Sequence, residues 1–299
     1  MGIKIFDLKT SKFCEEKVCA EAFMRFLYES AAGRAATFSV FRRLFFSRLC
    51  GLWADSASSA KAVAKFVADN AMDESEFAVP VSDYKTFNEF FTRELADGAR
   101  PLAEPDSDCA VGFPSDGRHL LVRNASKNDF FYVKGARFDF AKFLGDEALA
   151  RRFDGGDMLI SRLCPTDYHR FHYPISGEIA ARKNINGTLF SVSPIALTKR
   201  LSIFWENKRI LNLIDSPKFG MCAFVEIGAT NVGSIENFGA IGDFAERGRQ
   251  AGMFRFGGSC VATLFPPSCK IEWNEKLVEM GAKGIECYAR ANELAGRLA

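Results

Sequence analysis

The texture of the chain changes near residue 105, and this change limits the possible folds more than any single motif does. Downstream, short apolar runs such as GEIAARKNI (177–185), TLFSV (188–192), RILNLI (209–214), CAFVEIG (222–228) and SCVATLF (259–265) are broken by Gly, Pro, Asn and Asp. Runs of that length between turn residues read as strands of a mainly antiparallel β domain. Upstream, from about 13 to 72, the pattern is helical and Ala-rich, with FMRFLY, VFRRLFF and AKAVAKFVADNA as its apolar cores. SDYKTFNEFFTREL (82–95) predicts a further helix with Ser82 as its N-cap, ended by the turn signal DGARP at 97–101. The tail, 275–299, returns to a helical pattern. The expected fold class is therefore α+β, an N-terminal helical region (1–105) packed as one unit on a β-rich domain (106–299).

Composition excludes more than it identifies. A 299-residue chain that is 48% hydrophobic and 25% charged can bury a sizeable core. Its net charge of +2 and the absence of a recognition motif speak against nucleic acid as a partner. Nine cysteines, an odd number without a C-x-x-C pair, point to a reducing compartment and buried thiols. The start, MGIKIF, reads as neither a signal peptide nor a myristoylation site, because Phe6 stands where Ser or Thr is required. No apolar stretch is long enough to span a bilayer.

Residues 38–53 are the exception to an ordinary surface. Phe38, Phe41, Leu44, Phe45, Leu49 and Leu52 recur at helical spacing, with Arg42, Arg43 and Ser47 roughly opposite. From 31 to 68 the charges are Arg34, Arg42, Arg43, Arg48, Lys61 and Lys65 against Asp55 alone. Such a helix suits either the headgroup layer of an anionic membrane or the protein core, and the segment by itself does not choose.

Chemistry is concentrated in few residues. Of three histidines, His119, His169 and His172, the last two fall in RLCPTDYHRFHYPISG (162–177). Their spacing, with Pro165 and Pro174 around them, matches no zinc pattern, so no metal is expected. Histidines so placed suit acid and base work near neutrality. Asp116 in PSDG is a turn aspartate or the orienting carboxylate of a Ser, His, Asp set with Ser259. Ser259 lacks the G-x-S-x-G context of an ordinary serine hydrolase. It follows instead a pair of glycines that interrupt the run MFRF…VATLF, the mark of a place where something approaches the backbone closely.

FFTREL (90–95), ARPL (99–102), PSDG (114–117), RLCPTDYHRFHYPISGEI (162–179), FSV (190–192), NKR (207–209), GATNVGSIE (228–236) and FGGSC (256–260) resemble, in that order, the successive motifs of phosphatidylserine decarboxylases. The resemblance implies a proenzyme that cuts itself between Gly258 and Ser259. Ser259 would become a covalent pyruvoyl cofactor, with Asp116, His172 and Ser259 as the self-cleavage triad. His169 would assist decarboxylation. Phosphatidylserine would form a Schiff base with the pyruvoyl group and leave as phosphatidylethanolamine and carbon dioxide. It further implies cleaved large and small pieces that stay associated, a homodimer, and a peripheral position on the cytoplasmic face of an anionic cell membrane. Docking there is expected through Phe38, Phe41, Arg42, Arg43, Phe45 and Arg48. A related pyruvoyl enzyme acting on a soluble amino acid or another phospholipid headgroup, and a membrane-associated binding protein that never cleaves itself, are the competing readings.

Three departures stand out against the resemblance. Cys260 replaces the threonine common after the serine, and Lys208 stands where an acidic residue is frequent. RGRQAG (247–252) replaces KG-x-E-M-G, so Gln250 stands for a glutamate and Ala251 for a methionine. Slower processing is expected if that glutamate takes part.

Overall fold

A computed structural model describes residues 3–16, 21–41, 44–125, 138–229, 235–257 and 259–299. Arg42, Arg43, Gly258 and residues 230–234 of the GATNVGSIE motif lie outside the described residues, as do the side chains of Phe41 and Leu44.

A ten-stranded sheet runs through the molecule in the order Phe244–Ala245, Gly177–Ile185, Arg209–Ser216, Gly220–Gly228, Ser259–Phe265, Asp157–Leu163, Gly117–Val122, Cys287–Ala289, Ile3–Asp7, Lys12–Glu16. Neighbours are antiparallel except Ile3–Asp7, which runs parallel to Cys287–Ala289. The strand beginning at Ser259 is central and alternates between two cores. Cys260, Ala262 and Leu264 face a core with Phe143, Phe190 and Phe204, while Val261 and Phe265 face one with Phe171, Phe224 and Phe254. The second core is covered by a three-stranded sheet of Ile235–Asn237, Gln250–Phe254 and Arg170–His172. Another, Ile271–Trp273, Leu294–Leu298 and Ala110–Gly112, completes the β structure. The architecture is thus mixed helix and sheet with mainly antiparallel sheets.

Four expectations about elements change. TLFSV (188–192) is not a strand and pairs only through an isolated bridge from Thr188 to Asn207. Residues 12–16 form a strand, although the pattern predicts helix from 13. Asp7 Oδ1 accepts the Thr10 N–H at 2.8 Å, turning the chain so that Phe6 pairs with Phe13. The tail is helical only over Glu275–Ala282, capped by Asn274, and then supplies the strands Cys287–Ala289 and Leu294–Leu298. The helix of the TFNEFF segment is short, Phe87–Phe91, and its cap is Thr86, whose Oγ1 accepts the Glu89 N–H at 3.1 Å, while Ser82 sits in a preceding 3-10 turn.

Residues 38–53 divide into a π-helical turn, Thr37–Phe41, and a helix, Leu44–Ala54. Ser47 is buried, whereas Phe45 is 70% exposed and Leu52 68%, with Leu49 and Trp53 also exposed. The apolar stripe of this helix therefore faces outward. Behind it, a third core gathers Val63, Val67, Tyr84, Phe87, Phe90 and Phe91.

Candidate active site

Ser259 opens its strand fully buried, with Leu163 beside it on one side and Gly228 on the other. Gly228 offers no side chain to crowd the hydroxyl. Its carbonyl accepts from the Asn207 amide at 2.9 Å, and Asn207 is pinned in turn by Phe190, donating to its carbonyl at 2.8 Å and accepting its N–H at 2.9 Å. Ahead of the strand, Gly257 has φ +141°, a conformation that residues with a Cβ rarely adopt.

The Ser259 hydroxyl lies 3.2 Å from His169 Nδ1. The other ring nitrogen of His169 is 2.8 Å from the Cys164 carbonyl, which only accepts, so Nε2 carries the proton and Nδ1 offers its lone pair to the serine. Burial holds the imidazole neutral, with its pKa pushed down to about 3. The Phe91 ring stacks on it at 3.8 Å between centroids.

His172 has the reverse tautomer. Nδ1 lies 2.7 Å from the Gly248 carbonyl and must carry the proton, while the buried Nε2 has no hydrogen-bond partner among the described residues. Burial lowers its pKa, opposed by the Gly248 hydrogen bond and the charge of Asp116. Asp116 accepts two hydrogen bonds from Arg100, at 2.8 and 2.6 Å, and one from the Ala291 N–H at 2.9 Å. The expected hydrogen-bonded triad is thus not assembled as such. Ser259 meets His169, His172 is oriented by Gly248, and Asp116 reaches His172 through its charge alone. His119 belongs elsewhere, bonded to Ser161 at 2.8 Å and to the Ala289 carbonyl at 3.3 Å.

The loop that carries His169 is anchored by a buried ion network that sequence reasoning missed. Arg162 donates to Glu16 at 3.0 and 2.6 Å and to Glu286 at 3.1 and 2.5 Å. Arg118 pairs with Asp167, whose carboxylate also accepts the Cys164 N–H at 2.6 Å. Burial opposes ionisation of Glu16, but Arg162 and Arg118 hold its pKa at about 2. The partners are up to 146 residues apart, so no local pattern announces them.

The departures from the family pattern acquire positions. Cys260 points away from the Ser259 hydroxyl, since successive strand residues face opposite sides, and its thiol is fully buried with burial raising its pKa. Gln250 pairs with His172 across the small sheet, accepting from Arg170 at 2.9 Å and donating to Tyr168 Oη at 3.1 Å. Ala251 is core.

Comparison with known proteins identifies the family. The family model for phosphatidylserine decarboxylase matches residues 87–293. The chain belongs to that family. It is 37% identical to the phosphatidylserine decarboxylase proenzyme of Chlamydia trachomatis serovar D over 290 residues, 97% of this chain and 95% of that protein. The proenzymes of Clostridium novyi and Fusobacterium nucleatum are each 36% identical over 294 residues, 98% of this chain and 99% and 97% of theirs. Membership makes the chain a decarboxylase. All the motifs named above from 87 onward fall inside the matched region, including the helix Phe87–Phe91 at its start.

Proposed function

We propose that the chain decarboxylates phosphatidylserine after cutting itself between Gly258 and Ser259 and converting Ser259 to a pyruvoyl group. The observation that carries this reading is the buried Ser259 hydroxyl, placed on the lone pair of a neutral histidine two residues after Gly257, whose backbone conformation favours glycine. Ser259 Oγ attacks the carbonyl carbon of residue 258, the C–N bond breaks and an ester forms. A base takes the hydroxyl proton. Elimination from the ester leaves dehydroalanine and a new carboxyl end at 258; water then releases ammonia. The residues fit the group that would result, since Gly228, the strand neighbour of residue 259, has no side chain to crowd it and His169 would offer it a ring nitrogen. A pyruvoyl carbonyl supplies an electron sink for loss of carbon dioxide from an amine-bearing substrate.

The two histidines divide the work. In the reading implied by the family, His172 removes the proton in self-cleavage and His169 serves decarboxylation, delivering a proton beside residue 259. The unpartnered Nε2 of His172 supports the first role, and the His169–Ser259 contact the second. That same contact favours a second reading, in which His169 is the base for cleavage as well. Intact mass and turnover on phosphatidylserine vesicles for H172A and H169A separate them. The first reading expects H172A to stay whole and H169A to be cut at least in part but with depressed turnover. A whole H169A beside a cut H172A would reverse the assignment.

Access to a bilayer lipid is supported by the outward apolar stripe of Leu44–Ala54, where Phe45, Leu49 and Leu52 stand exposed beside exposed Arg48. Among the described residues no helix is long and apolar enough to cross a membrane. A peripheral position on the cytoplasmic face, association of the two pieces after cleavage, and a homodimer complete the proposal. Binding to anionic vesicles should weaken with salt.

A further inference from the structure

The residues on the N-terminal side of the cleaved bond are held by a layer that so far has only a docking role. Arg255 Nε donates to Glu236 at 2.6 Å, and its Nη1 lies 3.8 Å from Asp55 in the helical region. Phe256 is seated on that region. Its N–H donates to Asn88 Oδ1 at 3.0 Å. Its ring meets Phe87 at 5.2 Å, Phe91 at 5.3 Å and Trp53 at 6.1 Å between centroids. Asn88 is buried, and its orientation is set because Nδ2 donates to Asp55 Oδ1 at 2.7 Å, leaving Oδ1 to accept from Phe256. Asp55 follows the helix Leu44–Ala54 directly. The helix Phe87–Phe91 is tied to the same stretch by the Phe87 N–H, which donates to Ser59 Oγ at 2.8 Å.

We infer that Asn88, with the aromatic seat of Phe256, is a positioning residue for self-cleavage: it fixes the segment leading into the strand so that the carbonyl of residue 258 meets the Ser259 hydroxyl. The inference rests on the cleavage reading above. The sheet fixes Ser259 on one side of the bond, between Gly228 and Leu163. Attack needs the other side fixed as well, because a displacement of about 1 Å from a near-attack geometry costs on the order of a hundredfold in rate. Gly257, with φ +141°, turns the chain between the two anchors. The short helix serves both parties, since Asn88 holds the scissile segment while Phe91 stacks on His169. The apolar helix at the surface and the reacting bond are thereby joined through Trp53, Asp55 and Asn88.

The test is the rate of self-cleavage of freshly synthesised full chain, followed by intact mass, beside its thermal melting. N88L removes the acceptor and should slow cleavage about a hundredfold. N88D keeps an acceptor for Phe256 but sets a second carboxylate against Asp55, and should also be slow. The paired swap D55N with N88D restores a donor facing an acceptor, and should return the rate to within a few fold of wild type. Melting measured beside the rate separates positioning from a general loss of stability, because N88L and N88D should cleave slowly at temperatures where they are fully folded. If N88L does not fold, F256A is the second probe, with slowed cleavage expected and wild-type cleavage overturning the clamp. Equal rates for N88L and wild type, or a swap as slow as N88L, would also overturn it while leaving the cleavage reading intact. A wild-type chain that stays whole would overturn both.

Discussion

On one face of the central sheet, Arg162 and Arg118 meet Glu16, Glu286 and Asp167 in a network where each carboxylate has a guanidinium partner. Elsewhere, around the small sheet that carries His172, polar atoms are buried without hydrogen-bond partners among the described residues, His172 Nε2 and Tyr173 Oη among them. Both regions desolvate charged or polar groups, which is costly unless the groups are satisfied. The ion network fixes the loop of His169 and ties together segments that lie on opposite sides of the proposed cut, Glu16 and Arg162 before it and Glu286 after it. The second region leaves the His172 Nε2 lone pair available for the proposed self-cleavage. Burial alone therefore does not mark a site in this protein; what marks it is a neutral imidazole whose lone pair is turned to the buried serine hydroxyl.

The largest effect should come from the reacting serine. S259A should leave an uncut chain without decarboxylase activity, read by intact mass and by carbon dioxide release; a cut S259A would remove the nucleophile from the account. Next, R162M removes the buried guanidinium shared by Glu16 and Glu286, leaving Arg118 beside Glu16 at 3.5 Å. It should cost about 3–5 kcal/mol in a denaturant melt, whereas a loss under about 1 kcal/mol would show the network to be dispensable.

A smaller effect should follow pH. Glu226 shares the face of Ser259, pairing with Val261 two residues along the strand, and accepts from the Asn212 amide at 2.8 and 3.0 Å. Burial pushes its carboxyl up to about 8, against the nearby Arg182 charge. The folded protein then keeps a proton that an unfolded glutamate, at its ordinary value of 4.5, has released. This contribution to stability is complete below that value and is lost as pH rises through about 8. E226Q should flatten that decline, and an unchanged pH profile of melting would place the carboxyl among ordinary ionised groups.

The smallest effect belongs to C260A. Its side chain lies on the face away from the Ser259 hydroxyl, so cleavage should proceed at the wild-type rate with a modest loss of core packing. A marked change in cleavage rate would mean that the two faces are not separate.

Features with a local signature are legible in the amino-acid sequence. SCVATLF and CAFVEIG are strands because β-rich apolar runs between turn residues leave little alternative. Lys12–Glu16 and Leu294–Leu298 are not legible, since neither carries a periodic apolar face and each is recruited by a partner strand. The residues of chemistry stand out as types, His169, His172, Asp116 and Ser259, but their pairing does not. Which histidine meets the serine depends on carbonyls at Cys164 and Gly248, and the hold on Asp116 comes from Arg100 and the Ala291 amide. The orientation of the Leu44–Ala54 helix is likewise open in the sequence, because an amphipathic pattern does not say which face the protein covers.

The central claim is that Ser259 is consumed to make the catalytic group. It is tested most directly by the intact mass of freshly purified, denatured protein. Two species are predicted, one ending at Gly258 and one starting at residue 259 and lighter by one ammonia than a free serine terminus. A single uncut chain in a preparation that releases carbon dioxide from phosphatidylserine would contradict it.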